Sequence, residues 1–291
     1  MARLARLDPA GRVSFVVKIT HVQELDRLDR TGLLAKVSSM GLLCGTACAR
    51  RLGTSKNLAS LRSLAVMSSE DKYPFCSSVS KTTAITLAQA RLPSLRALYV
   101  AAPGEGIAAL AGSSLLGGVT SLSVCTDARG VAALGQSPLL TQVDELNVAS
   151  DQGQLLGGDA IRSLVQSSAL GQSLRVLRFF GSDSEAEHSI GTEGIIALAR
   201  WARLPRLREL DLRWNPVSEE AVANLVRSPL ARQLARLDLC HTGFGTVVAD
   251  ALVERPLVRL TYLCVSGDGD PEVHRSVEQA YRGVLDPEGG F

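Results

Sequence analysis

A short apolar pattern, leucine-x-x-leucine-x-leucine with other apolar residues substituting, recurs along nearly the whole of this 291-residue chain. Its ten copies begin at Val13, Val37, Leu61, Leu95, Val119, Val143, Leu174, Leu207, Leu234 and Leu260. The steps between them are 24, 24, 34, 24, 24, 31, 33, 27 and 26 residues, and chance does not produce four steps of 24. A period of this length predicts a repeat architecture, in which each unit completes its core against its neighbours.

Each copy alternates apolar and variable residues, which predicts a short strand with one buried face. Before many of the strands, two apolar residues spaced i, i+3 predict one face of a helix. These pairs are Leu25/Leu28, Ile107/Leu110, Val131/Leu134, Ile161/Leu164, Ile195/Leu198 and Val222/Leu225. Because each helix returns the chain to the same end of the sheet, the strands should be parallel.

The units differ in length on one side only. The distance from a helix to the next strand is almost constant, whereas the distance from a strand to its helix varies. The longest additions are residues 69–81, 150–159 and 181–192. They should all lie at the carboxyl ends of the strands, and we interpret this rim as free to elaborate for a partner.

Three segments carry a family resemblance: GEGIAALAGSSLLGGVTSLSV, GTEGIIALARWARLPRLRELDL and SEEAVANLVRSPLARQLARLDL. They resemble leucine-rich repeats of the ribonuclease-inhibitor type, and more closely the 24-residue bacterial GALA-type repeats. The resemblance implies an α/β horseshoe with parallel strands on the concave face and helices on the convex face. We expect a single solenoid over 1–291, with a degenerate N-terminal repeat or cap in 1–36, repeats in 37–266 and a cap helix and tail in 267–291. The family's asparagine after the strand is clear only at Asn215.

Both ends of a solenoid must be capped. At the C terminus, Asp270, Pro271 and Glu272 predict a helix start. The apolar face of that helix would consist of Val273, Val277, Ala280 and Val284.

At the N terminus, Thr20 and Gln23 predict a capping box. The strand of residues 13–19 would be the sheet edge, with Phe15, Val17 and Ile19 on the face opposite the core positions. Either residues 1–12 cover this edge or it pairs with another chain, which would make the protein self-associate.

The outward face of the sheet becomes polar from Val143 onward, and we expect it to bind a protein partner. The candidate residues are Tyr99, Glu145, Asn147, Arg178, Phe180, Glu209, Asp211, Arg213, Arg236, Asp238 and Tyr262. Glu209 should lie beside Arg236, and Asp211 beside Asp238. The alternative is a solvated face whose ion pairs contribute little. We favour binding because arginine and tyrosine are enriched in interface hot spots.

The sequence predicts no catalytic, cofactor or metal site. His188 lies among acidic residues, but without the spacing of a metal loop. Cys240 and His241 are adjacent on a strand and point to opposite faces, which places them poorly for a nucleophile and its base. Phosphate-binding glycine motifs are absent from the sequence, so we expect a non-enzymatic protein.

Cysteines and the start of the chain bear on the compartment. Cys240 and Cys264 should be diagonal neighbours on adjacent strands, where a disulfide would need distortion, so we favour two thiols. Cys44 and Cys48, spaced i, i+4, are interpreted as small packed hydrophobes. The first residues lack the apolar stretch of a secretory signal, so we expect a cytoplasmic protein.

The charge balance of 31 basic and 29 acidic residues predicts no attraction to nucleic acid or to an anionic membrane. Our leading hypothesis is a bacterial, cytoplasmic scaffold that binds another protein through the concave face and the inserted rim. From the resemblance come two alternatives. One is an activator-like regulator of a small GTPase; the other is a host-directed effector adaptor, although no F-box-like segment precedes the repeats.

Overall fold

In the computed structural model, which describes residues 4–7, 13–43, 45–68, 78–150, 154–181, 190–266 and 271–285, eleven strands form one sheet in sequence order. They are β1 (Leu4–Leu7), β2 (Val13–Ile19), β3 (Val37–Leu42), β4 (Ser63–Val66), β5 (Ala97–Ala101), β6 (Ser121–Thr126), β7 (Glu145–Ser150), β8 (Val176–Phe180), β9 (Glu209–Asp211), β10 (Arg236–Cys240) and β11 (Tyr262–Ser266). Strands β2 to β11 are parallel, and each contains one of the ten sequence copies. The parallel α/β architecture is therefore confirmed.

Helices alternate with the strands. They are α1 (Val22–Arg30), α2 (Thr46–Thr54), α3 (Lys81–Ala88), α4 (Gly104–Ala111), α5 (Ala128–Gln136), α6 (Gly158–Val165), α7 (Ser168–Gly171), α8 (Gly191–Trp201), α9 (Glu219–Arg227), α10 (Thr246–Glu254) and α11 (Pro271–Ala280). All six predicted i, i+3 pairs lie in helices and are buried. None of the helices within the described ranges is long and apolar enough to cross a membrane.

The core is a continuous apolar layer between the sheet and the helices. In the units from β3 to β11 the three apolar residues of the pattern point into it; Leu95, Leu98 and Val100, for example, are at most 2% exposed. Successive helices pack side by side along the face of this layer that lies opposite the sheet. Packed helices lie roughly 8–10 Å apart and paired strands about 4.8 Å apart, so the stack must bend with the sheet on the inside.

The length variation of the units falls where it was predicted. The long connections follow β4, β7 and β8 and lead to α3, α6 and α8. The insertions therefore share the rim at the carboxyl ends of the strands. Residues 69–77, 151–153 and 182–189 of these insertions, including His188, lie outside the described residues.

The N-terminal edge differs from the prediction in its register. Val17 and Ile19 are buried and pair with Met40 and Leu42, so they face the core and not the opposite side. A bulge between Phe15 and Val16 shifts the strand by one residue, and a shift of one exchanges the two faces. Strand β1 pairs antiparallel with β2 and covers its edge, which was the first of the two alternatives.

The start of α1 lies one residue later than predicted. Glu24, and not Gln23, closes the capping box: its carboxylate accepts from the backbone nitrogens of Thr20 (2.7 Å) and His21 (3.3 Å). A carboxylate accepts these hydrogen bonds more strongly than an amide, which explains the choice. The same hydrogen bonds lower the pKa of Glu24, with that from Thr20 contributing most.

The C-terminal helix is confirmed, but its apolar face is shifted. Val277 is fully buried, whereas Ala280 is exposed and Tyr281 is buried in its place, one helical turn after Val277. The Tyr281 hydroxyl accepts from the Leu257 nitrogen (2.9 Å) and donates to the Leu252 carbonyl (3.1 Å). The side chains of residues 271–274 and all of Asp270 lie outside the described part of the structure.

Asn215 joins two units at the turn that follows β9. Its side-chain nitrogen donates to the carbonyls of Phe179 (2.8 Å), Leu212 (2.9 Å) and Arg213 (3.0 Å), and its oxygen accepts from the Ile190 nitrogen (3.1 Å). The residue is fully buried. In the next unit, Thr242 takes the equivalent position and its hydroxyl donates only to Leu239.

Replacing Asn215 with alanine should therefore destabilise the protein. We expect Asn215→Ala to lower the free energy of unfolding by about 3 kcal/mol, because several buried backbone groups lose their partner. Urea denaturation followed by circular dichroism measures this. Asn224→Ala, an exposed asparagine of α9, is the control and should change stability by less than about 0.5 kcal/mol. Equal effects of the two substitutions would contradict the assigned role.

Candidate functional site

The outward side chains of β7 to β11 form a charged surface, which we call the polar face. It consists of Glu145, Asn147, Arg178, Phe180, Glu209, Asp211, Arg213, Arg236, Asp238 and Tyr262. The register places Glu145, Val176, Glu209, Arg236 and Tyr262 in one row across the strands, and Asn147, Arg178, Asp211, Asp238 and Cys264 in the next. Tyr99 lies apart from it on β5, beside Ser123 of β6. The sequence thus placed ten of its eleven candidates on one surface.

Arg178 is the centre of the polar face. Its guanidinium donates to Glu209 (2.6 and 3.1 Å), to Glu145 and to the Asn147 oxygen (3.2 Å). Burial opposes the charges of Arg178 and Glu145, but hydrogen bonds outweigh it. Those to Glu209 and Glu145 raise the pKa of Arg178, and those from Asn147 and then Arg178 lower the pKa of Glu145. Asn147 also donates to Ser123 (3.0 Å), which extends the network to β6.

Arg236 extends the same row. Its Nε lies 3.6 Å from Glu209, as the sequence predicted, and its guanidinium carbon lies 4.0 Å from the centre of the Tyr262 ring. A guanidinium over an aromatic face is a cation–π contact. The side chains of this row are thereby held in defined positions before any partner binds.

The two carboxylates predicted to be neighbours are bridged by one arginine. Asp211 and Asp238 are paired across β9 and β10, and both are buried. Arg213 contacts Asp211 at 2.6 Å and Asp238 at 3.4 Å. The hydrogen bonds that Arg213 donates to Asp211 contribute most to a raised pKa of Arg213. This cluster is a salt bridge and not a pair of free acids, so it does not suit acid–base catalysis.

Two exposed ring side chains that the sequence analysis did not include among its candidates, Trp214 and His241, border the polar face. Trp214 and His241 stack with ring centres 3.8 Å apart and planes at 13°. Phe180 is 43% exposed and Trp214 38%. We call Phe180, Trp214 and His241 the aromatic patch. The sequence feature that could have revealed the aromatic patch is Trp214, directly before Asn215.

The backbone of the aromatic patch is unusual. Trp214 and His241 have φ angles of 59° and 56°, in the left-handed region that bulky residues rarely adopt. The neighbouring turn is tightly packed, since a Cβ on Gly181 would lie 1.4 Å from the Trp214 carbonyl oxygen. Only glycine fits there. Strained backbone of this kind is concentrated at functional sites.

A disulfide joins Cys240 of β10 to Cys264 of β11, so the prediction of two thiols was wrong. Their Cα atoms are 5.6 Å apart, well within disulfide range, although the residues are offset by two in register. The twist of the sheet can bring one diagonal closer in this way. Cys48 is buried and also disulfide-bonded, which overturns its interpretation as a packed thiol; Cys44 lies outside the described residues.

The disulfide also removes a possible metal site. Among the described residues, Asp238, Cys240 and Cys264 form the one group with metal-ligand spacing. Both sulfurs are used in the disulfide, and Asp238 accepts from the Cys240 nitrogen (3.1 Å) and pairs with Arg213. Cys240 and His241 do not act as a nucleophile and its base in this state, because the Cys240 sulfur is in the disulfide and the His241 ring is stacked on Trp214.

The ion pairs of Arg178 make stability depend on pH. The pKa of Glu145 is lowered on folding, so the stability that Glu145 contributes is present above its unfolded pKa of about 4.3 and is lost as the pH falls through the folded value. We expect Arg178→Met to lower the free energy of unfolding by about 1–2 kcal/mol at pH 7, since the pair is partly screened.

This difference between Arg178→Met and the unsubstituted protein should stay nearly constant from pH 7 to about 5 and shrink as the pH falls further, through the folded pKa of Glu145, as measured by urea denaturation. The control is Arg162→Met, because Arg162 makes an exposed pair with Asp159 on α6. Its effect should stay below about 0.5 kcal/mol. A pH-independent effect of Arg178→Met would refute the electrostatic explanation.

The disulfide gives a second stability prediction. It closes a loop with a sequence separation of 24 residues. Reduction, or the variant Cys240→Ser/Cys264→Ser, should lower the free energy of unfolding by about 3 kcal/mol, because the unfolded chain gains freedom. Peptide mapping without reductant should find the two cysteines linked. Recovery of both as alkylated thiols from unreduced protein would show that the bond is absent.

No protein-family model matches the sequence, and no curated protein matches it. A structural-genomics target protein from Bacteroides fragilis has a similar structure over 94% of this chain and 74% of its own, with a TM-score of 0.54 and 12% identity. An internalin, InlF, from Listeria monocytogenes aligns over 90% of this chain and 69% of its own, with a TM-score of 0.46 and 16% identity. The Rad7–Elc1 complex from yeast aligns over 92% and 85%, with a TM-score of 0.41 and 12% identity.

At 12% identity, the similarity to the Bacteroides structure supports the fold alone. The other two structures have TM-scores below 0.5, so their shapes are too different to support a conclusion. The fold follows from the recurring apolar pattern together with the ten parallel strands and their alternating helices. The chain is a leucine-rich-repeat solenoid.

Proposed function

We propose that this chain is a non-enzymatic scaffold that binds a partner protein through the polar face and the adjoining aromatic patch. The observation that carries the proposal is the exposure of Phe180 and Trp214 beside a preorganised charged network. Exposed aromatic and arginine side chains that are already held in place provide binding energy at a low cost in entropy. The inserted loops share the rim of the aromatic patch and would add to the contact.

The chemistry of the polar face supports binding over catalysis. Its charged groups pair with one another, as in the contacts of Arg178 with Glu145 and Glu209 and of Arg213 with Asp211. Catalytic acids and bases need a cleft that shifts their pKa toward the working pH. On the polar face the pKa values of Arg178 and Arg213 are raised and that of Glu145 is lowered. These side chains therefore stay charged and are poor proton donors and acceptors.

Substitution of the aromatic patch tests the proposal. We expect Phe180→Ser/Trp214→Ser to weaken the affinity for a partner recovered from a lysate of the source cells at least tenfold, because buried aromatic anchors dominate interface energies. Surface plasmon resonance with the purified partner measures the affinity. Trp201→Ser is the matched control, since Trp201 is 47% exposed at the end of α8, on the opposite rim. Unchanged affinity of the double variant would exclude the aromatic patch as the binding site.

The identity of the recovered partner separates narrower versions of the function. A small GTPase whose hydrolysis rate rises with this chain would make the protein an activator-like regulator. A component of the ubiquitin machinery would make it a host-directed adaptor. Any other protein that binds only with the aromatic patch intact supports the general scaffold.

Two further expectations accompany the proposal. We propose that residues 1–291 act as one solenoid, and that any self-association uses β1, since β1 covers the edge of β2. A cytoplasmic location also stays a proposal, and the disulfide of Cys240 and Cys264 bears on it, because disulfides persist mainly in oxidising compartments. The thiol state of the protein isolated from its source cells tests this directly.

A further inference from the structure

In its C-terminal half, the rim at the amino ends of the strands carries more positive than negative charge. In the C-terminal half, the connections at 172–175, 202–208, 228–235 and 255–261 contain no aspartate or glutamate. Their basic residues are Arg175, Arg203, Arg206, Arg208, Arg232, Arg255 and Arg259, which we call the basic rim. These connections lie next to one another in successive units. Their arginines therefore form a local concentration of positive charge that the net charge of the whole chain does not reveal.

The arginines of the basic rim differ from those of the polar face. Arg178, Arg213 and Arg236 on the polar face each pair with a carboxylate. None of the rim arginines has such a pair among the described residues. Six of them are exposed, and Arg208, which is half-buried, donates only to the carbonyls of Pro205 (3.1 Å) and Leu207 (2.8 Å).

Neutralisation of helix dipoles does not account for these charges. A cation interacts with the dipole when it lies in or beside the last helical turn, where Arg200 and Arg227 already lie. Arg203 and Arg255 closely follow helix ends, but Arg206, Arg208 and Arg259 lie several residues beyond them. The acidic residues of the opposite rim do serve the helices: Asp127 caps α5 (3.0 Å to the Gly130 nitrogen), and Glu219 accepts from Val247 at the start of α10 (2.5 Å).

Two shallow grooves run along the basic rim. One, of about 220 Å³, is lined by Arg232, Arg255, Pro256, Leu257 and Val258, and the Val258 side chain is 90% exposed. The other, of about 360 Å³, is lined by three arginines, two apolar residues and three acids: Arg175, Arg208, Arg236, Val176, Ala235, Asp144, Glu145 and Glu209. The surface therefore combines arginines with apolar contact area.

We propose that the basic rim binds an acidic polypeptide segment of a partner protein, in which aspartate or glutamate residues are interspersed with apolar ones. Carboxylates would pair with the forked guanidinium groups of Arg206, Arg232 and Arg259. An apolar side chain would cover the exposed Val258. This surface lies across the sheet from the aromatic patch, and its larger groove shares Glu145, Glu209 and Arg236 with the polar face. Its test therefore uses Arg206, Arg232, Val258 and Arg259, which lie outside the polar face.

The composition of the grooves favours a polypeptide over a nucleic acid. Nucleic acid carries a negative charge on every nucleotide, and the exposed carboxylate of Asp144 in the larger groove would repel it. A polypeptide can place neutral side chains there. The lining of the two grooves also contains no aromatic residue on which bases could stack.

A fluorescein-labelled peptide of about twelve residues, repeating Glu-Asp-Leu, is a direct probe. We expect it to bind the intact chain with a micromolar Kd in fluorescence anisotropy, and to weaken about tenfold between 50 and 500 mM salt, because exposed charges are screened. The variant Arg206→Glu/Arg232→Glu/Arg259→Glu should lose at least tenfold in affinity. Val258→Asp should weaken binding several-fold.

Matched controls separate this surface from others. Arg27→Glu/Arg50→Glu/Arg275→Glu makes the same change of net charge on exposed positions of α1, α2 and α11 and should keep the peptide affinity. Phe180→Ser/Trp214→Ser should keep it too, so this surface and the aromatic patch succeed or fail separately. The proposal is overturned by equal loss in either control, by absence of binding below 1 mM peptide, or by tighter binding of a thymidine oligonucleotide of equal charge.

Discussion

The register of the parallel ladder is the constraint on which the rest of this structure depends. Backbone hydrogen bonds hold equivalent residues of adjacent units one strand spacing apart, roughly 4.8 Å. On the inner side this stacks leucine on leucine into a continuous core. On the outer side it sets unlike residues next to each other, and Arg178 lies between Glu145 and Glu209 because β8 lies between β7 and β9.

The two rims of the solenoid have different physical roles. At the carboxyl ends of the strands, acidic and polar side chains satisfy helix starts, and the backbone turns tightly enough to force Trp214 and His241 into left-handed conformations. At the amino ends, the connections are short and nearly constant in length, and their arginines have no carboxylate partner among the described residues. The irregular turns and insertions therefore lie at one edge of the sheet, and the arginines without a carboxylate partner lie at the opposite edge.

Periodic sequence patterns predict the structure of this chain only where the backbone keeps the period. The ten strands, the helix pairs such as Ile107/Leu110 and the placement of the polar face all followed from spacing. The face of β2 did not, because a bulge at Phe15/Val16 breaks the period that the inference used. The capping residue of α1 was predicted one position too early, since Gln23 and Glu24 both suit the motif and the stronger acceptor, the Glu24 carboxylate, closes it.

The sequence by itself determined the repeat, the direction of the strands and which side chains face outward, because these depend on local alternation and a regular period. Only the tertiary structure decided which outward residues meet. The Cys240–Cys264 bond depends on how the sheet brings two diagonal positions together, and the stack of Trp214 on His241 depends on two turns closing side by side. The basic rim also became visible only when four separate connections were brought to one edge, since distance along the chain does not give distance in space.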